Sequence, residues 1–212
     1  MASKALIRFS LRQAHLVWLV SIVNIGIGFF IPGFNPVANS ISAVALEAPV
    51  FAFTHRLADI VIGCSMSLFA FGLHALSRKR VALSSISCFL LGLSFVSAGI
   101  WTLETPLHLL YNLSIVMILV PVASALELQH VLRSQRFENL CLAVSSIHLF
   151  MFWCIYADFI PQQYGGAIQR VWSAVLTGWF GVAASITSSR FRQTEGGTLT
   201  TDASPFVAPH PS

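Results

Sequence analysis

The sequence predicts an all-α, polytopic membrane protein: a bundle of six transmembrane helices with both termini cytoplasmic. Three observations predict it. Hydrophobic residues make up 56% of the 212 residues and charged residues only 9%, against about 25% charge in an ordinary soluble domain. Six stretches approach the roughly 20 apolar residues that a spanning helix needs. The basic residues also segregate into alternate connections. A disordered chain is excluded, because it would be poor in apolar residues and rich in charge. No nucleic-acid partner is expected. Twelve Lys and Arg stand against eight acids, a net charge of +4, and no basic stripe is dense enough to track a phosphate backbone. The partner implied is the lipid bilayer, and the location a multi-pass membrane one.

The first span is expected over His15 to Pro32. Lys4, Arg8 and Arg12 precede it like the start of a signal peptide. No small-x-small cleavage site follows before Pro32 and Pro36, so it reads as a retained helix. The connection after it, Gly33 to Glu47, holds Asn35-Pro36, which begins a turn. Ser40 or Ser42 can then cap a short amphipathic piece at the outer interface, or the loop can fold inward as a lid.

The second span is expected over Thr54–Leu76 and the third over Val81–Leu103. The fourth covers Leu107–Leu128, with a kink at Pro121. The fifth and sixth cover Leu140–Tyr156 and Val171–Ser188. In domain terms this gives a cytoplasmic segment 1–14, a six-helix domain 15–188, and a disordered cytoplasmic tail 189–212 rich in Thr, Ser, Gly and Pro. With six spans, ten Lys and Arg share a side with the termini, and only Arg56 and Arg170 fall opposite. The cation-rich side is the cytoplasmic one.

Cys64, Cys88, Cys141 and Cys154 all fall within spans and form no CxxC pair, so they read as packing residues. Small residues mark where helices can approach closely in lipid: Gly26 with Gly28, Gly63 with Ser67, Ser94 with Ala98, and Gly178 with Gly181.

Ionisable groups inside spans are expensive and are functional candidates. His15, His74, His130, Glu127 and Glu138 lie at cytoplasmic helix ends and read as solvated. The outer side is richer. His55 and Asp59 are four apart on one helix and share a face. Glu104 and His108 are also four apart across Pro106, and His108 shares a helical face with Asn112. If the second and fourth helices adjoin, His55, Asp59, Glu104 and His108 converge near the outer leaflet. Such a set can do acid–base chemistry, ligate a divalent metal such as zinc, or simply pin helix ends with ion pairs. His148, in mid-span, reads as hydrogen-bonded to a neighbouring helix. No HExxH, HxxxH or GxSxG motif is present, and no motif names a cofactor or an oligomeric state.

The Asn35-Pro36…Ser40-x-Ser42 loop precedes a second span that opens near a His. Later comes Gly99-Ile-Trp-Thr-Leu-Glu-Thr-Pro-Leu-His108, ahead of a polar-started fourth helix. Over about residues 14 to 190 the chain resembles the six-span membrane family catalogued as a domain of unknown function, number nine hundred and ninety-eight. Ala43 stands where the family pattern has an acid. The resemblance implies a six-helix bundle and no reaction.

The function expected is that of an integral membrane protein with a polar site at the non-cytoplasmic end of the bundle. It would bind or help move a lipid or small hydrophobic molecule. The alternative is a small intramembrane enzyme (hydrolase, isomerase or cyclase) acting on a hydrophobic substrate through His55, Asp59, Glu104 and His108. A channel is disfavoured because no span carries a long polar stripe. The inverted repeats of a secondary transporter are not visible.

Overall fold

A computed structural model describes residues 3–77 and 79–197. The expected tail from residue 198 onward, and Arg78 in the second connection, lie outside the described residues. All regular structure among the described residues is helical: α1 (Lys4–Arg12), α2 (His15–Gly26), α3 (Pro49–Ser77), α4 (Leu83–Ile100), α5 (Leu119–Leu132), α6 (Gln135–Tyr156) and α7 (Gly165–Gly197). Short 3₁₀ segments cover Ile27–Phe30, Ile41–Leu46 and Gln162–Tyr164, and a longer one Pro106–Ile118. Among the described residues, six helical runs are long and apolar enough to cross a membrane. Each coincides with an expected span, displaced at its ends.

The outside of the bundle is apolar. Phe29, Phe30, Phe53, Phe150 and Phe159 are between 64% and 78% exposed, a surface stable against hydrocarbon and not against water. The centre is filled by Phe69, Phe137, Trp179 and Phe180. Phe180 meets Phe69 edge-on at 5.7 Å and Trp179 at 5.1 Å.

The first run begins at Lys4, ahead of the expected His15, because Ser3 caps it by accepting from the Leu6 N–H at 3.2 Å. Leu11 of α1 is fully buried and packs on Gly72 of α3. The turn between α1 and α2 is held by α3. Gln13 Nε2 donates to the Ser65 carbonyl at 3.0 Å, and Ser65 Oγ donates to Gln13 Oε1 at 2.6 Å. At the other end of the chain, α7 continues past Ser188 to Gly197. Arg190, Arg192 and Gln193 are good helix formers, and Arg190 Nη1 bonds Gln193 Oε1 at 3.1 Å.

α3 and α4 form the closest pair. A Cβ on Gly63 would strike the Gly92 carbonyl, and one on Gly92 would strike Ser67 Oγ. Farther out, a Cβ on Gly99 would lie 2.6 Å from the Arg56 carbonyl. The backbones touch because these positions lack side chains. Gly26 and Gly178 differ from expectation: nothing lies within 4 Å of a Cβ at either, so neither marks a close contact. Both ends of α4 are held by neighbouring side chains. Arg56 of α3 donates to the Gly99 and Ile100 carbonyls, each at 2.9 Å. Glu127 of α5 accepts from the N–H groups of Leu83 and Ser84 at 2.8 and 3.0 Å and from Ser84 Oγ at 2.6 Å. The side chain expected to be solvated at 127 is therefore a helix cap, paired also with Lys79 at 3.7 Å.

The fourth run changes winding at Leu119. Pro121 falls in the first turn of α5, so the expected mid-helix kink becomes a junction between 3₁₀ and α winding. There Ser145 of α6 inserts its hydroxyl. Oγ accepts from the Val122 N–H at 3.1 Å and donates to the Ile118 carbonyl at 2.8 Å. It stands in for the helical bond that would join those two groups. The four cysteines are free thiols: Cys88 and Cys141 are buried, while Cys64 is exposed on the bundle surface.

Candidate functional site

At the loop-covered end of the bundle, α2 and α3 bring three polar side chains together away from solvent. Asn24, His55 and Asp59 are 5%, 2% and 4% exposed. Asn24 Nδ2 donates to Asp59 Oδ1 at 2.7 Å. Asn24 Oδ1 accepts from His55 Nδ1 at 2.6 Å. The ring closes where His55 Nε2 faces Asp59 Oδ2 at 3.5 Å. The amide fixes the roles: its NH₂ faces the carboxyl group, so its oxygen faces the imidazole and Nδ1 carries a hydrogen. One proton shared between His55 Nε2 and Asp59 Oδ2 leaves the pair neutral on either atom, the arrangement a buried pair favours. The 3.5 Å side is too long for a strong hydrogen bond.

A cavity of about 20 Å³ abuts this ring, bounded by Ser21, Asn24, Ser42, Phe95, Ser173 and Thr177 among others. That is room for about one water molecule. Its roof is the first long loop. Asn35 Oδ1 accepts from the N–H groups of Val37 and Ala38 at 3.0 and 3.3 Å, the side-chain turn expected of Asn-Pro. Ser40 caps the 3₁₀ piece by accepting from the Ala43 N–H at 3.2 Å. Ile41 and Ser42 are thereby pressed into the bundle, each 7% exposed. The loop is a lid, as one of the two readings of its sequence anticipates.

The start of α7 fastens the lid. Gln169 Oε1 accepts from the Ile41 N–H at 2.6 Å. The Gly166 and Ala167 N–H groups donate to the Ala38 and Val37 carbonyls at 3.2 and 2.9 Å. Arg170 Nη1 donates to the carbonyls of Pro36, Asn39 and Gly166 at 2.6, 2.8 and 3.0 Å. Gly166 has to be glycine here, since a Cβ would strike the Asn39 carbonyl.

Beyond Phe95 and Ser173, which line both spaces, lies a larger cavity of about 290 Å³. Its wall is mainly apolar (Ile115, Met117, Phe152, Leu176), with Asn112, Ser114 and Gln169 as polar points. A further open cavity of about 430 Å³ shares Ile155, Gln169 and Trp172 with it and leads outward past Asp158 and Gln162. An apolar chamber of about 300 Å³ with a few convergent polar groups is the usual form of a small-molecule site.

Of the four residues expected to converge, the structure joins His55 and Asp59 directly. They lie about 9 and 15 Å along α3 from its first residue, at about 1.5 Å per residue. His108 is half-buried, bonds the Trp101 carbonyl through Nδ1 at 2.8 Å, and interacts electrostatically with His55. Glu104 is exposed in the turn before the fourth run and forms no ion pair among the described residues. No three His, Cys, Asp or Glu side chains gather as a metal-ion set among the described residues, so the ligand quartet His55, Asp59, Glu104 and His108 is not assembled. Glu104 lies in the turn ahead of the 3₁₀ run Pro106–Ile118, outside any helix, so its four-residue spacing to His108 gives no shared face. At three residues per turn, positions four apart lie about 120° apart, so His108 and Asn112 diverge and Asn112 turns to the larger cavity. His148 bonds the Val144 carbonyl of its own helix through Nδ1 at 2.8 Å, and its ring faces Trp172 of α7 at 6.2 Å.

Both nitrogens of His55 are directed at Asn24 and Asp59, which leaves neither to activate Ser42 as a nucleophile. The sequence reading passed over Asn24 as a partner of this pair, and Gln169 and Arg170 as fasteners of the lid. An amide in mid-span was the available signal for the first.

Comparison of the chain with models of known families, with curated proteins and with solved structures finds no significant match. The functional reading therefore rests on the residues themselves.

Proposed function

We propose that this chain is a multi-pass membrane protein with both termini cytoplasmic, and that it binds or helps move a lipid or small hydrophobic molecule at its non-cytoplasmic end. Membership of the six-span family resembled above belongs to this proposal and fixes no residue role. The observation that carries the reading is the buried Asn24–His55–Asp59 ring, roofed by the 33–47 lid and separated from an apolar chamber of about 290 Å³ by Phe95 and Ser173. An apolar tail fits the chamber, and a polar end can reach the ring. Binding is favoured over acid–base or metal chemistry through His55, Asp59, Glu104 and His108 because Glu104 stands exposed and apart from the buried pair and no metal-ion set gathers among the described residues.

The layout is tested by protease access to a tag on either terminus in sealed cells; digestion from outside overturns it. The site is tested with dioleoylglycerol added to detergent-purified protein and read by native mass spectrometry. The wild type retains the lipid. Ser173→Trp, which fills the wall common to both cavities, loses it while keeping its helical circular dichroism. A wild type that retains none overturns the reading.

A further inference from the structure

Arg170 carries an unused recognition edge. Its side chain is 6% exposed, and Nη1 is fully engaged by the three lid and helix carbonyls. Nε and Nη2 are buried and have no hydrogen-bond partner. These two atoms form one side of the planar guanidinium, a fork that accepts two oxygens of a phosphate or carboxylate in parallel. No carboxylate among the described residues pairs with it. A buried cation without an anion is expensive to maintain. What surrounds it is soft: the Phe29 and Phe34 rings, with centroids 5.9 and 6.0 Å from the guanidinium carbon, and the bare backbone of Gly28. A Cβ at Gly28 would lie 2.8 Å from Nη2, so a glycine there lets the backbone pack on that side of the fork with no side chain in the way.

Position adds the second argument. Gly28 lies one helical turn from Asn24, and Arg170 lies about one turn from Ser173, both toward the loop end. The fork thus sits roughly 5 Å above the ring and the neck of the apolar chamber. A molecule with its tail in the chamber would place an anionic head at this level.

We infer that the Nε–Nη2 edge of Arg170 binds a phosphate oxyanion, the head of a phosphate-bearing amphiphile whose tail enters the chamber. This rests on the lipid-binding reading for the tail; the fork itself would serve free phosphate equally. The anion completes the charge of Arg170, and Phe29 and Phe34 swing aside to admit it.

The experiment compares three probes on the full-length, detergent-purified protein by native mass spectrometry: dioleoylphosphatidylglycerol, dioleoylglycerol with the same tails, and inorganic phosphate. The phospholipid is expected to bind at least ten-fold more tightly than dioleoylglycerol. Arg170→Lys keeps a cation but loses the fork and its carbonyl bonds to the lid, and Gly28→Ala crowds Nη2 with a methyl group while keeping the guanidinium. In each variant the phospholipid and dioleoylglycerol should bind within about two-fold of one another, a ratio that a change in the lid alone would not move. Equal binding of the two lipids by the wild type overturns the inference and leaves the lipid-binding reading standing. Phosphate bound in an Arg170-dependent manner with neither lipid retained upholds the fork, names free phosphate as its source, and sinks the lipid reading. No binding of any probe overturns both. Should both variants fail to fold, the wild-type comparison alone decides.

Discussion

The α3–α4 pair and the end of the bundle where α2, α3 and α7 meet are built on opposite plans. Between α3 and α4, Gly63, Gly92 and Gly99 let backbone touch backbone. Where α2, α3 and α7 meet, side chains are retained and are polar: Asn24, His55 and Asp59 below the lid, Gln169 and Arg170 fastening it. One seam is closed by removing side chains. The other is propped apart by groups that must satisfy one another, and space for a molecule remains beside them. The comparison teaches that small residues close one seam of this protein, and hydrogen-bonded polar residues hold the other beside an apolar chamber.

The largest effect that would sharpen this contrast is expected from Gly92→Val. Forcing a branched side chain between two touching backbones should destabilise the bundle by roughly 3 kcal/mol, read as a fall in thermal midpoint by fluorescence-detected size exclusion. A neutral outcome would show that α3 and α4 can part, and would break the comparison. Next comes Asn24→Leu, which strands the His55 Nδ1 hydrogen and Asp59 Oδ1 in an apolar setting and should cost about 2 kcal/mol. Its pairing with Asp59→Leu decides whether the ring acts as a unit. The double variant should be less damaging than the sum of the singles, because Asn24 and Asp59 no longer strand one another and only the two His55 nitrogens are left unpaired.

Ser145→Ala should cost about 1 kcal/mol, since the Ile118 carbonyl and the Val122 N–H lose the hydroxyl that bridges them. Hydrogen exchange at Val122 should rise as well. Smallest is Gly178→Ala. Nothing lies within 4 Å of the new methyl, so helix propensity alone acts and should add up to about 1 kcal/mol. A loss of stability there would mean that α7 meets a partner at that face.

The frame was legible in the sequence because it depends on local, additive properties. Apolar runs and loop charges gave six helical spans, and helix geometry alone placed His55 beside Asp59. Asn35 and Ser40 announced their turn and cap through side-chain chemistry that reaches only two or three residues. What escaped depends on contacts between distant segments. Asn24 meets His55 across 31 positions, and Arg170 meets Pro36 across 134. Glu127 looked like an interfacial charge until the start of α4 fell beside it. The expected Glu104–His108 face is not formed for another reason. Its spacing was read on a helix, whereas Glu104 lies in the turn before the helical run begins at Pro106.

The two clamps on α4 have a consequence for the surrounding lipid. At 18 residues this helix rises about 27 Å, short of a hydrocarbon layer about 30 Å thick. A free helix could slide or straighten to hide the shortfall. α4 cannot, because Arg56 holds one end and Glu127 the other, each with the charge that its helix dipole favours. Leu83, Ile86, Phe89 and Leu93 face outward along it, and exposed Val81 and Leu103 continue the apolar face past its two ends. In a bilayer the shortfall would fall to these flanking residues and to the lipid beside this one flank.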